Sequence, residues 1–218
     1  MTPGQVAGLL LAAGEGSRLG GPKALLVDPA GDTFLVRSLR ALEAGGCEPL
    51  YVVVGARADD VAALAPPGTS VVTADDWREG MGASLRAGLA AVESAAAHVA
   101  AAVVMLVDTP GVTAEAVRRL VTRAPETLPV ALARSAYDGV PGHPVLIGRS
   151  HWAGVRASAR GDQGARDYLR AHPGDLVECG DVASGEDVDT VEALLRWRRR
   201  AEGLQRHGAG VEEGGQGG

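Results

Sequence analysis

Aromatic side chains are scarce in this 218-residue chain, which has one Phe, three Tyr and three Trp. Single-stranded nucleic acid is held largely by stacking bases on aromatic rings, and phosphate backbones are met by a surplus of Lys and Arg. With few rings and a formal net charge of −6, the chain has neither, so no nucleic-acid partner is expected. Cysteine is equally sparse. Cys47 and Cys179 lack both zinc-site spacing and the density of a disulfide scaffold, which points to two reduced thiols in a cytoplasmic protein. No apolar run gives a clean membrane span of about eighteen residues; the richest stretch, 87–107, is interrupted by Glu93 and His98. The apolar stretch 6–13 has no basic leader and ends in a glycine-rich segment, so it reads as a first strand and not as a secretion signal. No membrane partner is expected either.

Aliphatic residues and an alternating order of elements are plentiful. Hydrophobic residues make up 46% of the sequence, enough for one substantial core at this length. β-Branched runs at 51–54, 70–73 and 101–107 alternate with stretches at 35–44, 59–64 and 84–95, where apolar residues recur every three or four positions. This βαβ order predicts an α/β fold, with a mainly parallel sheet covered by helices on both faces and ligands gathered at the carboxyl ends of the strands. Past 130–133 the pattern changes. Asp138-Gly139 and Pro141-Gly142 are turn signals, so an antiparallel addition is expected in the second half. The glycine-dominated stretch 208–218 cannot pack, and a disordered tail is expected over 203–218. The arginines at 196 and 198–200 suit the C-terminal end of a last helix, where the dipole favours cations.

The most informative segment is Leu9-Leu10-Leu11-Ala12-Ala13-Gly14-Glu15-Gly16-Ser17-Arg18-Leu19-Gly20-Gly21-Pro22-Lys23, an apolar strand running into a glycine-rich loop that carries two cations. Glycines let backbone N–H groups approach an anion closely, and Arg18 and Lys23 supply countercharge for a triphosphate. Glu15 is expected to face solvent. The bland reading is an ordinary strand-to-helix turn. Two familiar phosphate loops fail here. The dinucleotide fingerprint needs a glycine three residues after Gly16 and an acidic residue about twenty positions on; the next glycine is Gly20, and the second strand ends Val54-Gly55-Ala56-Arg57. The P-loop pattern needs a lysine where Pro22 stands and a Ser or Thr after it.

The loop does resemble the opening signature of the nucleotidyltransferases, L-A-x-G-x-G-x-R-x-G-x-x-K, and a resemblance to the MobA-like family, closest to its molybdenum cofactor cytidylyltransferase branch, runs over about residues 6–197. It implies a three-layer Rossmann-like domain over 1–202, with a nucleotide-binding half at about 1–125 and an acceptor-binding half at about 126–202. Leu11, Ala12, Ala13, Gly14, Gly16 and Lys23 would meet the nucleotide. In Asp75-Asp76-Trp77-Arg78-Glu79-Gly80-Met81-Gly82-Ala83-Ser84, Ser84 reads as a helix cap and Trp77 as scaffold; the resemblance adds Asp76, Gly80, Gly82 and Ser84 beside the base and ribose.

Asp108 follows the apolar strand Val103-Val104-Met105-Leu106-Val107. Thr113, not Asp108, is the better N-cap for a helix over 114–123, with Glu115 in its first turn. The resemblance makes Asp108 a Mg²⁺ ligand, and Asp189, in Asp187-Val188-Asp189-Thr190, the second. Val191 stands where the family usually has proline. Pro141-Gly142-His143-Pro144 and Gly161-Asp162-Gln163-Gly164-Ala165-Arg166 resemble acceptor-binding elements of the same enzymes, and so assign Gly142, His143, Asp162 and Arg166 to the acceptor. Read without the family, His143 satisfies a turn, and Arg166 is a solvated residue on a capped helix. The implied reaction is Mg²⁺-dependent transfer of CMP from CTP to the phosphate of molybdopterin, catalysed by Arg18, Lys23 and Asp108, with a molybdenum hydroxylase downstream. Guanylyl relatives generally show Ala-Gly-Gly in place of Ala12-Ala13-Gly14. The alternatives are another donor or phosphorylated acceptor, such as GTP or a sugar phosphate, and a non-catalytic carrier of the pterin.

Overall fold

The computed structural model describes residues 4–123 and 127–209. Seven strands form one sheet: β1 (Gln5–Leu11), β2 (Leu50–Val54), β3 (Ser70–Thr73), β4 (Val99–Leu106), β5 (Leu132–Tyr137), β6 (Val140–Gly148) and β7 (Asp175–Glu178), in the order β3-β2-β1-β4-β6-β5-β7. β1 pairs in parallel with β2 and β4, β2 with β3, and β5 with β7, whereas β6 is antiparallel to both β4 and β5. The expected α/β architecture with an antiparallel addition is present.

The central strands are buried on both faces, as parallel strands under two helix layers must be. Successive β1 residues alternate between two cores: Leu10 and Ala12 pack with Phe34, Leu39 and Leu120, and Leu9, Leu11 and Ala13 with Leu85, Leu89 and Trp152. One layer contains α1 (Phe34–Ala44), α4 (Ala114–Val121) and α7 (Val191–Ala209). The other contains α3 (Met81–Ala95), α5 (Trp152–Ser158) and α6 (Arg166–Ala171); the short α2 (Ala58–Ala62), at the β2–β3 crossover, packs Val61 into the α1-side core. Truncating a fully buried leucine such as Leu9 to alanine would cost about 2–5 kcal/mol.

Thr33 and Thr113 cap α1 and α4, their hydroxyls accepting from the N–H groups of Val36 and Ala116, and the Thr113 expectation holds. The Ser84 cap does not. α3 begins at Met81 behind Gly80, whose φ of 110° carries the chain into the helix sooner, and Ser84 lies buried in the helix. Pro141-Gly142 is not a turn either. Asp138 and Gly139, with φ of 53° and 77°, already reverse the chain, and Pro141 pairs opposite Ala136 beside a register shift in β5. α7 continues to Ala209, past the expected start of the tail at 203; residues 210–218 of that tail lie outside the described residues. Both cysteines are free and buried. No helix among the described residues is long and apolar enough to cross a membrane.

Candidate functional site

A cleft of about 680 Å³ lies at the carboxyl ends of β1 and β4, where a mainly parallel sheet offers a ligand its open edge. Its first wall is the glycine loop. Ala12 N–H donates to Val53 O (2.9 Å) and Ala56 N–H to Ala13 O (3.0 Å), so the strand stays tied to β2 until the loop opens at Gly14. Gly16 then turns left-handed at φ 62°, and its carbonyl accepts from Leu19 N–H (2.9 Å) and Gly21 N–H (3.2 Å). A Cβ there would lie 2.0 Å from the Gly21 carbonyl oxygen, so only glycine fits.

The loop delivers Lys23 to the floor of the cleft. Its ammonium donates to Asp108 Oδ2 at 2.8 Å and also to Asp189 Oδ1. Burial alone would lower the Lys23 pKa, but the charges and hydrogen bonds of Asp108 and Asp189 outweigh it and hold the ammonium above its ordinary value. Asp108 reaches this point because Val107 N–H donates to Leu11 O (3.1 Å). The distant Asp189 arrives through the chain before α7, where Val188 N–H donates to Asp108 O (2.8 Å), Ser184 N–H to Gly111 O (3.1 Å) and the Thr113 hydroxyl to Val182 O (3.1 Å). Asp189 is the more open of the two carboxylates, with 49% of its side chain exposed against 24% for Asp108. The second oxygen of Asp108, Oδ1, is buried with no hydrogen-bond partner among the described residues.

The opposite wall is the segment leading into α3. Gly80 gives this helix no side-chain cap, so N–H groups of its first turn remain available where Met81 and Ser84 line the cleft. Trp77 packs where a Cβ on Gly55 would fall (2.6 Å from Cγ), and the Arg78 guanidinium lies 4.4 Å from the Trp77 ring centre. The 161–166 loop closes against this wall. A Cβ on Gly80 would meet Asp162 Oδ1 at 2.4 Å, and one on Gly82 the Arg160 backbone nitrogen at 2.8 Å.

Among the residues singled out from sequence, Leu11, Ala13, Gly14, Gly16, Arg18, Lys23, Gly80, Ser84, Asp108, Asp162 and Asp189 line the cleft, as does Glu15. Ala12, Asp76, Gly82, Gly142, His143 and Arg166 do not. Ala12 points into the α1-side core, Asp76 is exposed on the outer loop, and Gly82 serves the seam with Arg160. Gly142 lies against the Tyr137 ring, whose hydroxyl donates to His143 O at 2.6 Å. The His143 ring interacts with the Val104 backbone and feels the charge of Asp108, so it adjoins the cleft; burial first, then Arg134 and Arg166, hold its pKa low.

Sequence reasoning passed over three residues. Trp77, read as scaffold, also lines the cleft. Asp187 is pushed up to about 6, by desolvation first and then by the negative charges of Asp108 and Asp189. The D-x-D spacing was a usable signal for it. Arg134 follows an apolar run and had none; only strand pairing places it opposite Val145, two residues from His143.

The similarities to known proteins agree with this geometry. A curated relative, the nicotine blue oxidoreductase of Paenarthrobacter nicotinovorans, is 40% identical over 210 residues, 88% of this chain and 95% of that one. A probable molybdenum cofactor guanylyltransferase of Mycobacterium ulcerans is 35% identical over 122 residues, 56% of this chain and 58% of that one. The solved structure of Rv0371c from Mycobacterium tuberculosis superposes with a TM-score of 0.75 at 31% identity, covering 91% of this chain and all of that one; its manganese complex superposes at 0.71 and 28% identity, covering 89% and 98%. The family model of the MobA-like NTP transferase domain matches residues 8–176, and the chain, with its glycine loop, paired aspartates and open sheet edge, belongs to that nucleotidyltransferase family.

Proposed function

We propose that the protein transfers CMP from CTP to the phosphate of molybdopterin and releases pyrophosphate. The observation that carries this reading is the position of Lys23, held by Asp108 and Asp189 on the floor of a cleft whose other wall is the uncapped start of α3. An oxygen of the acceptor monoester forms a bond to the α-phosphorus, the bond from that phosphorus to the bridging oxygen breaks, and pyrophosphate leaves in line. The monoester is largely ionised near neutral pH, so no general base is needed; the obstacle is repulsion between anions and their alignment. The Gly14–Gly16 backbone and the first turn of α3 cradle the phosphates. Lys23 neutralises charge at the α- and β-phosphates, and Arg18 holds the departing pyrophosphate.

The residues fit a hard divalent cation. Asp108 and Asp189 both offer oxygen to one positive centre, and Asp108 Oδ1 has no hydrogen-bond partner among the described residues. Two carboxylates are enough for Mg²⁺, an ion that takes few protein ligands and completes its shell from phosphates and water. When bound, it would offset charge on the phosphate oxygens. The manganese complex of the Rv0371c structure supports a divalent site of this kind.

Cytidine as the base rests on the likeness of the Pro141–Pro144 segment and on Ala13, a cleft residue at the position where guanylyl relatives generally carry glycine. The guanylyltransferase names among the relatives make GTP the direct competitor. Thermal shift with CTP, GTP, ATP and UTP in the presence of Mg²⁺, followed by pyrophosphate release on adding molybdopterin, tests the reading. The expected result is the largest shift with CTP and pyrophosphate only when the acceptor is present; preference for GTP overturns the choice of base.

A second reading follows from the relative named as an oxidoreductase: the same cleft would hold a redox nucleotide. It predicts oxidation of a reduced nicotinamide nucleotide by an electron acceptor and no pyrophosphate. The loop lacks the dinucleotide glycine spacing, which favours transfer.

A further inference from the structure

Some arginines around the site have a carboxylate partner in the protein. Arg86 pairs with Glu79 and Arg170 with Asp167 (2.9 Å). Arg134 and Arg166 form no ion pair with any carboxylate among the described residues, and Arg134 Nε is buried without a hydrogen-bond partner, as is Nδ1 of His143. The fold brings these three side chains together. Arg134 pairs opposite Val145, so these two side chains share one side of the sheet, and the charge of Arg134 acts on the His143 ring. That side is covered by α6, whose Tyr168 and Leu169 pack in the core containing Val145 and whose first residue is Arg166. Burial first, and then the charge of Arg166, lower the Arg134 pKa. The cluster adjoins the cleft through Asp108, whose charge acts on His143, and through Asp162 in the loop that opens α6.

A half-buried guanidinium facing a second one costs free energy unless an anion offsets it. Among the described residues no carboxylate forms an ion pair with either guanidinium. The planar fork of arginine matches a phosphate with paired hydrogen bonds. We propose that Arg134, with Arg166 and His143, receives the phosphate monoester of the acceptor next to the Asp108 side of the nucleotide cleft. This deepens the transferase reading and rests on it for the identity of the reaction, while the anion site itself stands on the cluster. Arg134 binds the monoester and thereby selects doubly charged acceptors.

The test uses phenyl phosphate as the monoester probe, titrated calorimetrically into the full-length protein already saturated with α,β-methylene CTP, so that the glycine loop is occupied. The wild type is expected to bind the probe. Arg134→Gln is expected to weaken binding at least about ten-fold, as loss of charged hydrogen bonds does, with Arg134→Lys intermediate and affinity for the CTP analogue unchanged. Arg166→Gln, at an exposed position, should act in the same direction and guards against a folding defect at Arg134. Equal probe affinity in wild type and Arg134→Gln, or no probe binding by the wild type, overturns the proposal. If the analogue itself fails to bind while the probe still depends on Arg134, the nucleotide reading fails and the anion site stands.

Discussion

The two sides of the site treat their cations in opposite ways. On the side proposed for the nucleotide, Lys23 is matched by two aspartates drawn from positions 108 and 189; on the side proposed for the acceptor, the charge of Arg166 acts on Arg134 and neither forms an ion pair among the described residues. A lysine held between two carboxylates is positioned before the ligand arrives, and the surrounding carboxylates are then ready for a divalent ion. An unmatched pair of guanidiniums is incomplete until an anion enters. On the proposed reading, one half of the electrostatics is built internally and the other half is left to the substrate, an arrangement that would suit transfer between two phosphates that would otherwise repel.

The largest effect is expected from Asp108→Asn, which keeps the shape of the side chain and removes its charge. Pyrophosphate release should fall by about a hundred-fold or more, the scale seen when one electrostatic contact to a transition state is lost, with the circular dichroism spectrum retained; normal turnover would end the role of this carboxylate. Lys23→Met comes next. It leaves Asp108 and Asp189 facing each other without their cation, so CTP affinity measured by calorimetry should drop at least about ten-fold, and added Mg²⁺ should raise the melting temperature of the variant more than that of the wild type. If affinity is unaffected, the glycine loop has no part in nucleotide binding.

A smaller effect is expected where the two sides join. Gly82→Ala places a methyl group 2.8 Å from the Arg160 backbone nitrogen, and the backbone must shift, at about 1–3 kcal/mol. The melting temperature should fall, and both nucleotide and phenyl phosphate affinities should fall together; loss of only one would mean that the seam does not couple the two sides. Cys47 serves as the control outside both. Burial pushes its thiol up to about 12, whereas in the unfolded chain it ionises near its ordinary value. The folded form therefore holds back the thiolate, and stability should decline as pH rises past the unfolded thiol pKa. Between about pH 8 and 10, alkylation should proceed only as fast as the chain unfolds, so rapid labelling of native protein would contradict the burial.

The glycine loop was legible because its chemistry is local. Gly16 needs a left-handed φ, and Lys23 follows within one loop, so composition and spacing suffice. Asp108 was legible for the same reason, as a charge ending a wholly apolar strand. The Ser84 cap misled because serine before a helical pattern is a good local signal, yet Gly80 four residues earlier can enter the helix at a φ that other residues avoid. Gly82 misled because a glycine next to a ligand and a glycine against a neighbouring backbone are indistinguishable in one dimension.

The alternation of strands and helices, the buried aliphatic stripes and the glycine-rich turn after β1 were determined by the order of residues alone, since each depends on contacts within a few positions of chain. The meeting of Lys23 with Asp189, 166 positions away, and of Arg134 with His143 and Arg166 was decided only by tertiary structure. Strand register and the hydrogen bonds of the segment before α7 set those distances, and Coulomb forces between side chains depend on distance in space, not along the chain.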